Sequence, residues 1–572
     1  MRTKTGLCLL IAVLTLPSLV AQGSDRSGRF WYWTPHIPEI LVAANDAPQS
    51  VKDIADYVCD GTDDQVQIQN AFDALASTGG IVQLSQGTFT CNVNTDSESR
   101  IALTGKALDG SRRTVAVDDE DNWTVGEMVL LSGGADDTDG DTLAANNEAG
   151  IYTVQDVDYG GIILSHNFDY DYGVAGGTGV NCTRLRWALR ADITSGPVIV
   201  RGQGVDTTVV RLASDADCDL LRIHDDGPHG SENGFCIVRD LTLNGRYSEQ
   251  TAAKRGESNA ITVNAFCKDT YLENLFPHKA NGHGIVINRP WGTVIDRCVV
   301  EWCEWEGVAV YGYVDGSGND SGAGRITNTK INNNDLDTNG DGRGGALIIS
   351  RAPKTIVSGC QLSSPQSGWT VEVWGTTYGK ISECHFFSTS TGHLRLMDAG
   401  TKASRGFTVN GNTFNLAAGT TGIYDKGNYN SHTGNEFNGA DSTDVAVNLQ
   451  GNINNVTGGS VYNVATGVDV NDYECSVVGV RFDGGSVGVN VSASRAHVAS
   501  CVFAGLTTGV AVDAGGNNAS IVANRFEICA DGVTIAANGN KCGVDANFYR
   551  GCTTDYTDDG TGTVLGANHN LD

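Results

Sequence analysis

Proline and methionine are scarce here, at 10 and 3 residues of 572, and 38 lysines and arginines face 67 aspartates and glutamates. So few methionines exclude a Met-rich adaptable groove. The formal charge of −29, with no basic stripe along the chain, excludes nucleic acid as a partner, because the phosphates would be repelled. No Cys-x-x-Cys pair offers a zinc site. Beyond the first 20 residues, no apolar run approaches the roughly 20 residues needed to cross a bilayer. Glycine is abundant instead, with 73 residues, and with frequent Asn and Thr it suits a chain of many tight turns.

Those turns separate a repeating unit. The segments TYLENLF, TVIDRCVV, RITNTKI, TIVSGCQL, KISECHFF, FTVNGNTF, NSHTGNEF, CSVVGVRF, AHVASCVF, ASIVANRF and CGVDANFY stack under one another. One column then reads Asn274, Cys298, Thr329, Cys360, Cys384, Asn412, Asn435, Val480, Cys501, Asn524 and Asn547. Such spacing predicts a solenoid of parallel β-coils. Each rung alternates, so aliphatic residues turn inward and polar ones outward. Phe414, Phe437, Phe482, Phe503, Phe526 and Phe548 fall at one phase, and Gly422, Gly467, Gly488, Gly509 and Gly532 at another. Aromatic and amide ladders are expected, with each inward Asn bonding the bent backbone at a corner. These columns read as core.

Arg2 and Lys4 precede an apolar run ending near Ala21 and Gly23, the pattern of a secretory signal peptide, so the protein is expected to be secreted or displayed at the cell surface. Without Cys8, fifteen cysteines remain, an odd number. Cys298, Cys360, Cys384 and Cys501 read as small buried fillers. Cys59 with Cys91, and two of Cys529, Cys542 and Cys552, are candidate disulfides in an oxidising compartment.

In DGTDDQVQIQNAFDALASTGGIVQLSQGTF, Val66, Ile68, Ala71, Phe72 and Leu75 form a helical apolar face. Thr62, Asp63 and Asp64 suit its start, and Gly79-Gly80 its end. This helix is expected to cap the solenoid. The segment resembles the opening motif of the pectate-lyase-like, right-handed β-helix superfamily, and RGQGVDTTVVRL at 201–212 resembles its first full coil. The superfamily includes polysaccharide lyases, glycoside hydrolases, uronan epimerases and viral tailspikes, so the resemblance implies the fold and carbohydrate contact without choosing a reaction.

Between 101 and 190 the repeat is interrupted by alternating stretches that read as an inserted antiparallel β module. The expected organisation is a signal peptide over 1–23, a cap with the first strands over 24–100, the module over 101–190 and an all-β right-handed parallel β-helix over 191–572. In the module loop, Asp137, Asp139, Asp141 and Glu148 stand at the first, third, fifth and twelfth positions of a calcium loop, though its sixth position is Thr142. A second loop offers Asp337, Asn339 and Asp341 followed by Gly342, with Ile348 where a bidentate carboxylate belongs. Calcium and a solvated acidic turn are the two readings of each.

Long loops and five of nine tryptophans place the site hypothesis on the middle coils, about 220–400. The phase of Leu394 and Leu396 predicts His393 and Arg395 outward. That of Val371 and Val373 predicts Glu372 and Trp374 outward on the preceding coil, and Trp369 inward. Glu372, His393 and Arg395 are the catalytic candidates, an acid or base beside a cation that grips a substrate carboxylate. Glu372 with Arg395 equally makes an ordinary surface ion pair. Tyr311, Trp374 and Arg289 are the substrate-binding candidates, through aromatic stacking and charge. Further candidates are Glu301, Glu304, Glu306, His278, Lys279, His283 and the HDDGPHG stretch at 224–230. The expected function is binding and cleavage of an extracellular polysaccharide, with β-elimination placed ahead of hydrolysis because acidic loops can hold calcium. The alternative is a glycan-binding adhesin or surface fibre, homotrimeric as tailspikes are.

Overall fold

The structure is a computed structural model. It describes residues 21–24, 30–33, 37–97, 101–107, 114–117, 123–132, 149–158, 161–165, 178–225, 235–251, 256–314, 320–334, 345–363, 368–387, 391–398, 404–440 and 443–570. The chain folds as a right-handed parallel β-helix. One 45-stranded hydrogen-bonded sheet winds through the coils, and its strands pair in parallel with those one coil away. On one face, Val308–Tyr311, Leu347–Ser350, Trp369–Trp374, Gly392–Met397 and Thr421–Asp425 follow in register. Their alternation drives Leu347, Val371, Leu394 and Ile423 into one column and Ile349, Val373 and Leu396 into another, all buried.

The helix Gln65–Leu75 closes one end by burying Ile68, Ala71, Phe72 and Leu75. It stops where Gly79, at φ +69°, donates its N–H to the Leu75 carbonyl at 2.8 Å. Asp64 does not cap the helix through its side chain. Its carboxylate accepts the N–H groups of Gly61 at 2.7 Å and Thr90 at 2.7 Å, tying the cap to the first coil.

Along one corner runs an amide ladder in two stretches, at Asn412–Asn435 and Asn524–Asn547. Asn412 Nδ2 donates to Ile381 O at 3.1 Å while its backbone N–H donates to Asn435 Oδ1 at 3.0 Å, and Asn524 and Asn547 repeat the arrangement. Cysteines take the same place by donating a thiol to the preceding coil, as Cys298 does to Leu272 O at 3.5 Å and Cys501 to Val477 O at 3.6 Å. Each side chain thereby satisfies a bent carbonyl that burial would strand. All fifteen described cysteines are thiols, so the expected disulfides at Cys59–Cys91 and among Cys529, Cys542 and Cys552 are not formed. Inside the ladder column, Gly459 supplies a further coil between Asn435 and Val480 that the stacked segments pass over.

Phe482, Phe503 and Phe526 stack at 5.0 and 4.9 Å between ring centroids. Tyr549, not Phe548, continues the stack at 5.0 Å, and Phe548 is exposed. The register pairs Phe526 with Tyr549 and leaves Phe548 beside Arg525, one residue out of phase.

The module is a six-stranded antiparallel sheet between Ala102 and Arg184. Alternation gives it two apolar faces. Val129, Leu131, Val154 and Ile162 form its own core, while Met128, Leu130 and Ile151 point the other way. That second face is docked on the β-helix against Val286, Ala309, Tyr311, Ile348, Trp374 and Met397. The Ala265 N–H donated to Thr153 Oγ1 at 3.0 Å and the Asn264 Nδ2–H donated to Gly126 O at 3.3 Å help fix it, while a buried Arg184–Glu127 ion pair at 3.0 Å lies within the module itself. The run up to residue 20, expected to be a signal peptide, and Asp137, Asp139, Asp141, Glu148, Asp337, Asn339 and Asp341 lie outside the described residues.

Candidate functional site

The outward column of the docked face reads, coil by coil, Val286, Ala309, Ile348, Glu372, Arg395, Tyr424, Asn448 and Asp469. The first three are apolar because the module covers them. Where that cover ends, the column turns charged and aromatic. Glu372 and Arg395 are register partners, both half-buried. The Trp374 indole N–H donates to Glu372 Oε2 at 2.9 Å, and the Arg395 guanidinium lies over the Trp374 ring at 5.3 Å. Trp374 therefore touches both the carboxylate and the guanidinium, which stand on adjacent coils at the module's rim.

His393 does not join them. Its ring is buried between Phe386 and Phe414, at 5.8 and 6.0 Å between centroids. Nε2–H donates to the Asn415 carbonyl at 2.9 Å, and Nδ1 lies 3.4 Å from the Thr370 hydroxyl. Burial pushes its pKa down to about 4, which keeps the imidazole neutral. The reason is a bend. The ladder pairs Gly392 and then Leu394, passing over His393, just as it passes over Gly422 one coil on. His393 thus stands in the glycine column that faces the aromatic stack, and the alternation read from Leu394 does not extend across the bend.

The same bend turns Trp369 outward, contrary to its expected inward phase. Its indole lies against Gly392, where a Cβ would approach the ring to 2.2 Å, and its centroid is 5.9 Å from that of Tyr424. Tyr311 and Trp374 do leave the coil outward, but both are buried beneath the module, so neither offers an open stacking face. Arg289 is also buried, with its guanidinium 4.7 Å from the Trp291 ring. The half-buried aromatics next to Glu372 and Arg395 are Trp369 and Tyr424. Sequence reasoning missed Tyr424, although its place beside Ile423 in the alternation would have revealed it.

Asp398, at the end of the Arg395 strand, was also missed. Burial raises its pKa, and Oδ1 has no hydrogen-bond partner among the described residues. Of the other candidates, His283 and Glu306 meet at 3.2 Å beneath Trp305, whose ring lies edge-on to the imidazole at 5.1 Å. Glu301 pairs with Lys330 at 2.6 Å, and His278 stacks on Phe276 at 4.4 Å. His224 is buried 3.1 Å from Asn264 Nδ2, and 226–230 of its stretch lie outside the described residues. No group of three or more His, Cys, Asp or Glu among the described residues has a metal-binding arrangement.

No family model matches the chain, and no curated protein matches it. Among solved structures, it is similar to the A-module of mannuronan C-5 epimerase AlgE6 from Azotobacter vinelandii, at 13% identity over 88% of this chain and 96% of that one, with a TM-score of 0.39. A mannuronic acid specific polysaccharide family 6 lyase from human gut microbiota is similar at 11% identity over 65% and 78%, with a TM-score of 0.31. The Dettilon tailspike protein is similar at 14% identity over 67% and 60%, with a TM-score of 0.34. These likenesses concern the coil architecture and say nothing of activity. The chain is a right-handed parallel β-helix protein carrying a docked antiparallel module.

Proposed function

We propose that the protein binds an acidic polysaccharide across the rim of the module and cleaves it by β-elimination. The observation that carries this reading is the adjacency of Glu372 and Arg395 where the outward column emerges from its apolar cover. Arg395 neutralises the uronate carboxylate, which lowers the cost of carbanion character at the neighbouring carbon. Glu372, oriented by the Trp374 indole, takes that carbon's proton. The bond to the leaving oxygen then breaks, that oxygen takes a proton from water, and the new chain end is unsaturated. Trp369 and Tyr424 supply faces for the flanking sugar rings.

Secretion is part of this proposal, since an extracellular polymer must be met outside the cell, and it rests on the N-terminal sequence pattern alone. Calcium at the two acidic loops is likewise proposed from their spacing.

The test is incubation with uronate and neutral polysaccharides, reading both absorbance of unsaturated ends and reducing ends. Unsaturated products from polyuronates are expected, with Glu372→Gln and Arg395→Ala each lowering turnover by about 10²-fold or more. Reducing ends without unsaturation would replace elimination by hydrolysis. Full activity in the double variant would remove both residues from the site.

A further inference from the structure

We propose a second glycan-binding site, an aromatic and basic track along the corner that follows the Trp369–Trp374 face, which takes a polyuronate chain lying parallel to the β-helix axis. Here each coil places one residue in the left-handed region, and backbone hydrogen bonds stack these positions. Lys354 N–H donates to Thr377 O, Tyr378 N–H to Arg405 O, Gly406 N–H to Asn428 O, and Tyr429 N–H to Asn452 O. The corner column therefore runs Lys354, Tyr378, Gly406, Tyr429, with φ between 57° and 65° in all four.

Bulky residues rarely accept that backbone region, yet tyrosine occupies it twice. Tyr378 is 66% exposed and Tyr429 48%, with Tyr473, 58% exposed, two coils further on in the neighbouring column. Gly406 lets the Tyr378 ring lie flat along the corner, since its Cβ would stand 3.0 Å from the ring. Successive tyrosines are thus two coils apart, about 10 Å, so each coil advances by close to the length of one pyranose unit. A sugar chain laid along the axis would present every second ring to a tyrosine.

The charge around Tyr378 and Tyr429 is the reverse of the molecule's, whereas Tyr473 lies between Asp472 and Glu474. Arg405 lies over the Tyr429 ring at 4.6 Å, and Lys354 and Lys380 are exposed on either side of Tyr378. None of the three cations forms an ion pair with a described carboxylate. In a chain of net charge −29, this local cationic patch favours a ligand that carries one carboxylate per sugar. Asn428 and Asn452, joined by a 2.9 Å hydrogen bond, add amides for the hydroxyl groups.

This site stands apart from Glu372 and Arg395, and its test is one of binding, so it can fail while turnover holds, and the reverse. Affinity electrophoresis of the full chain, in a Glu372→Gln background that leaves the ligand intact, is run in gels containing polygalacturonate, polymannuronate or a neutral polysaccharide. Retardation by a polyuronate is expected, weakening at least tenfold in Tyr378→Asn with Tyr429→Asn. Asn is compatible with the left-handed corner and already occupies it at Asn518. Replacing Lys354, Lys380 and Arg405 by Gln should remove the salt dependence, with an unchanged melting temperature as the folding control. Unchanged retardation in the tyrosine variant, equal retardation by the neutral polymer, or none at all would each overturn the proposal.

Discussion

The middle coils and the C-terminal coils share one winding but spend their residues differently. From Cys298 to Thr329 a coil takes 31 residues, whereas from Asn412 through Asn435, or from Asn524 through Asn547, it takes 23. The shorter coils leave almost nothing over after the ladders of amide, aromatic and valine are filled. The longer ones put the surplus into loops and lie under the docked module, whereas Trp369 and Glu372 stand on the coil that follows, only 24 residues from Cys360 to Cys384, and Arg395 on one of 28 from Cys384 to Asn412. Repetition builds the rod, and the long coils give the module its seat beside the site.

The largest effect that would sharpen this contrast is Phe503→Ala, at the centre of the C-terminal stack. It should cost about 3–5 kcal/mol in urea unfolding while the initial rate on polyuronate is retained; a loss of turnover in the folded variant would break the comparison. Next comes pH. His393 has its folded pKa depressed to about 4, below the ordinary histidine value of about 6.5, so the unfolded chain binds the extra proton between those limits. Its contribution is complete above that upper value and falls away as the pH drops through the window, by about 3 kcal/mol. His393→Leu should flatten that part of the stability–pH curve. If His393 instead served in catalysis, the variant would lose activity at neutral pH.

Asn435→Ala leaves the Asn412 N–H without its acceptor and should cost about 1–3 kcal/mol by the same unfolding measurement, again with activity kept. Glu372→Gln is the counterpart in the middle coils. Because the pair is half-buried, stability should change by no more than about 1 kcal/mol even as turnover collapses. The smallest effect is expected at Val461, where the aromatic stack is interrupted between Phe437 and Phe482. A gap of about 10 Å³ lies beside it, bounded by His432, Phe437, Val468 and Val480 among others. Val461→Leu should gain up to about 0.8 kcal/mol, and a loss would show that the coil cannot accept the added methylene.

The regular half was readable because its signal repeats. Ten of the eleven rungs fell into one column, and the Asn and Cys at their corner have the burial and bonding their types require. Asn274 stands one residue before it, in the left-handed corner position beside Arg297 with its amide on Asp240, and Leu275 fills the column there. The cap helix was legible from its own apolar spacing. What failed did so at bends, where alternation restarts. His393 and Trp369 sit on the wrong sides of an extrapolated phase, and Tyr549 takes the place given to Phe548 by a one-residue slip. The burial of Tyr311 and Trp374 was out of reach for another reason. Met128, Leu130 and Ile151 announce a second apolar face on the module, but no local pattern states which surface it covers. Glu372 beside Arg395 could be read because both lie within a single strand phase on adjacent coils.

The corner hydrogen bonds have one further consequence. Since Asn524 contacts only the coil before and the coil after it, removing or duplicating a whole 23-residue turn there would leave every other ladder in step. The rod's length is then a quantity that can drift by integer steps without renegotiating the interior, much as beads are threaded or slipped from a string.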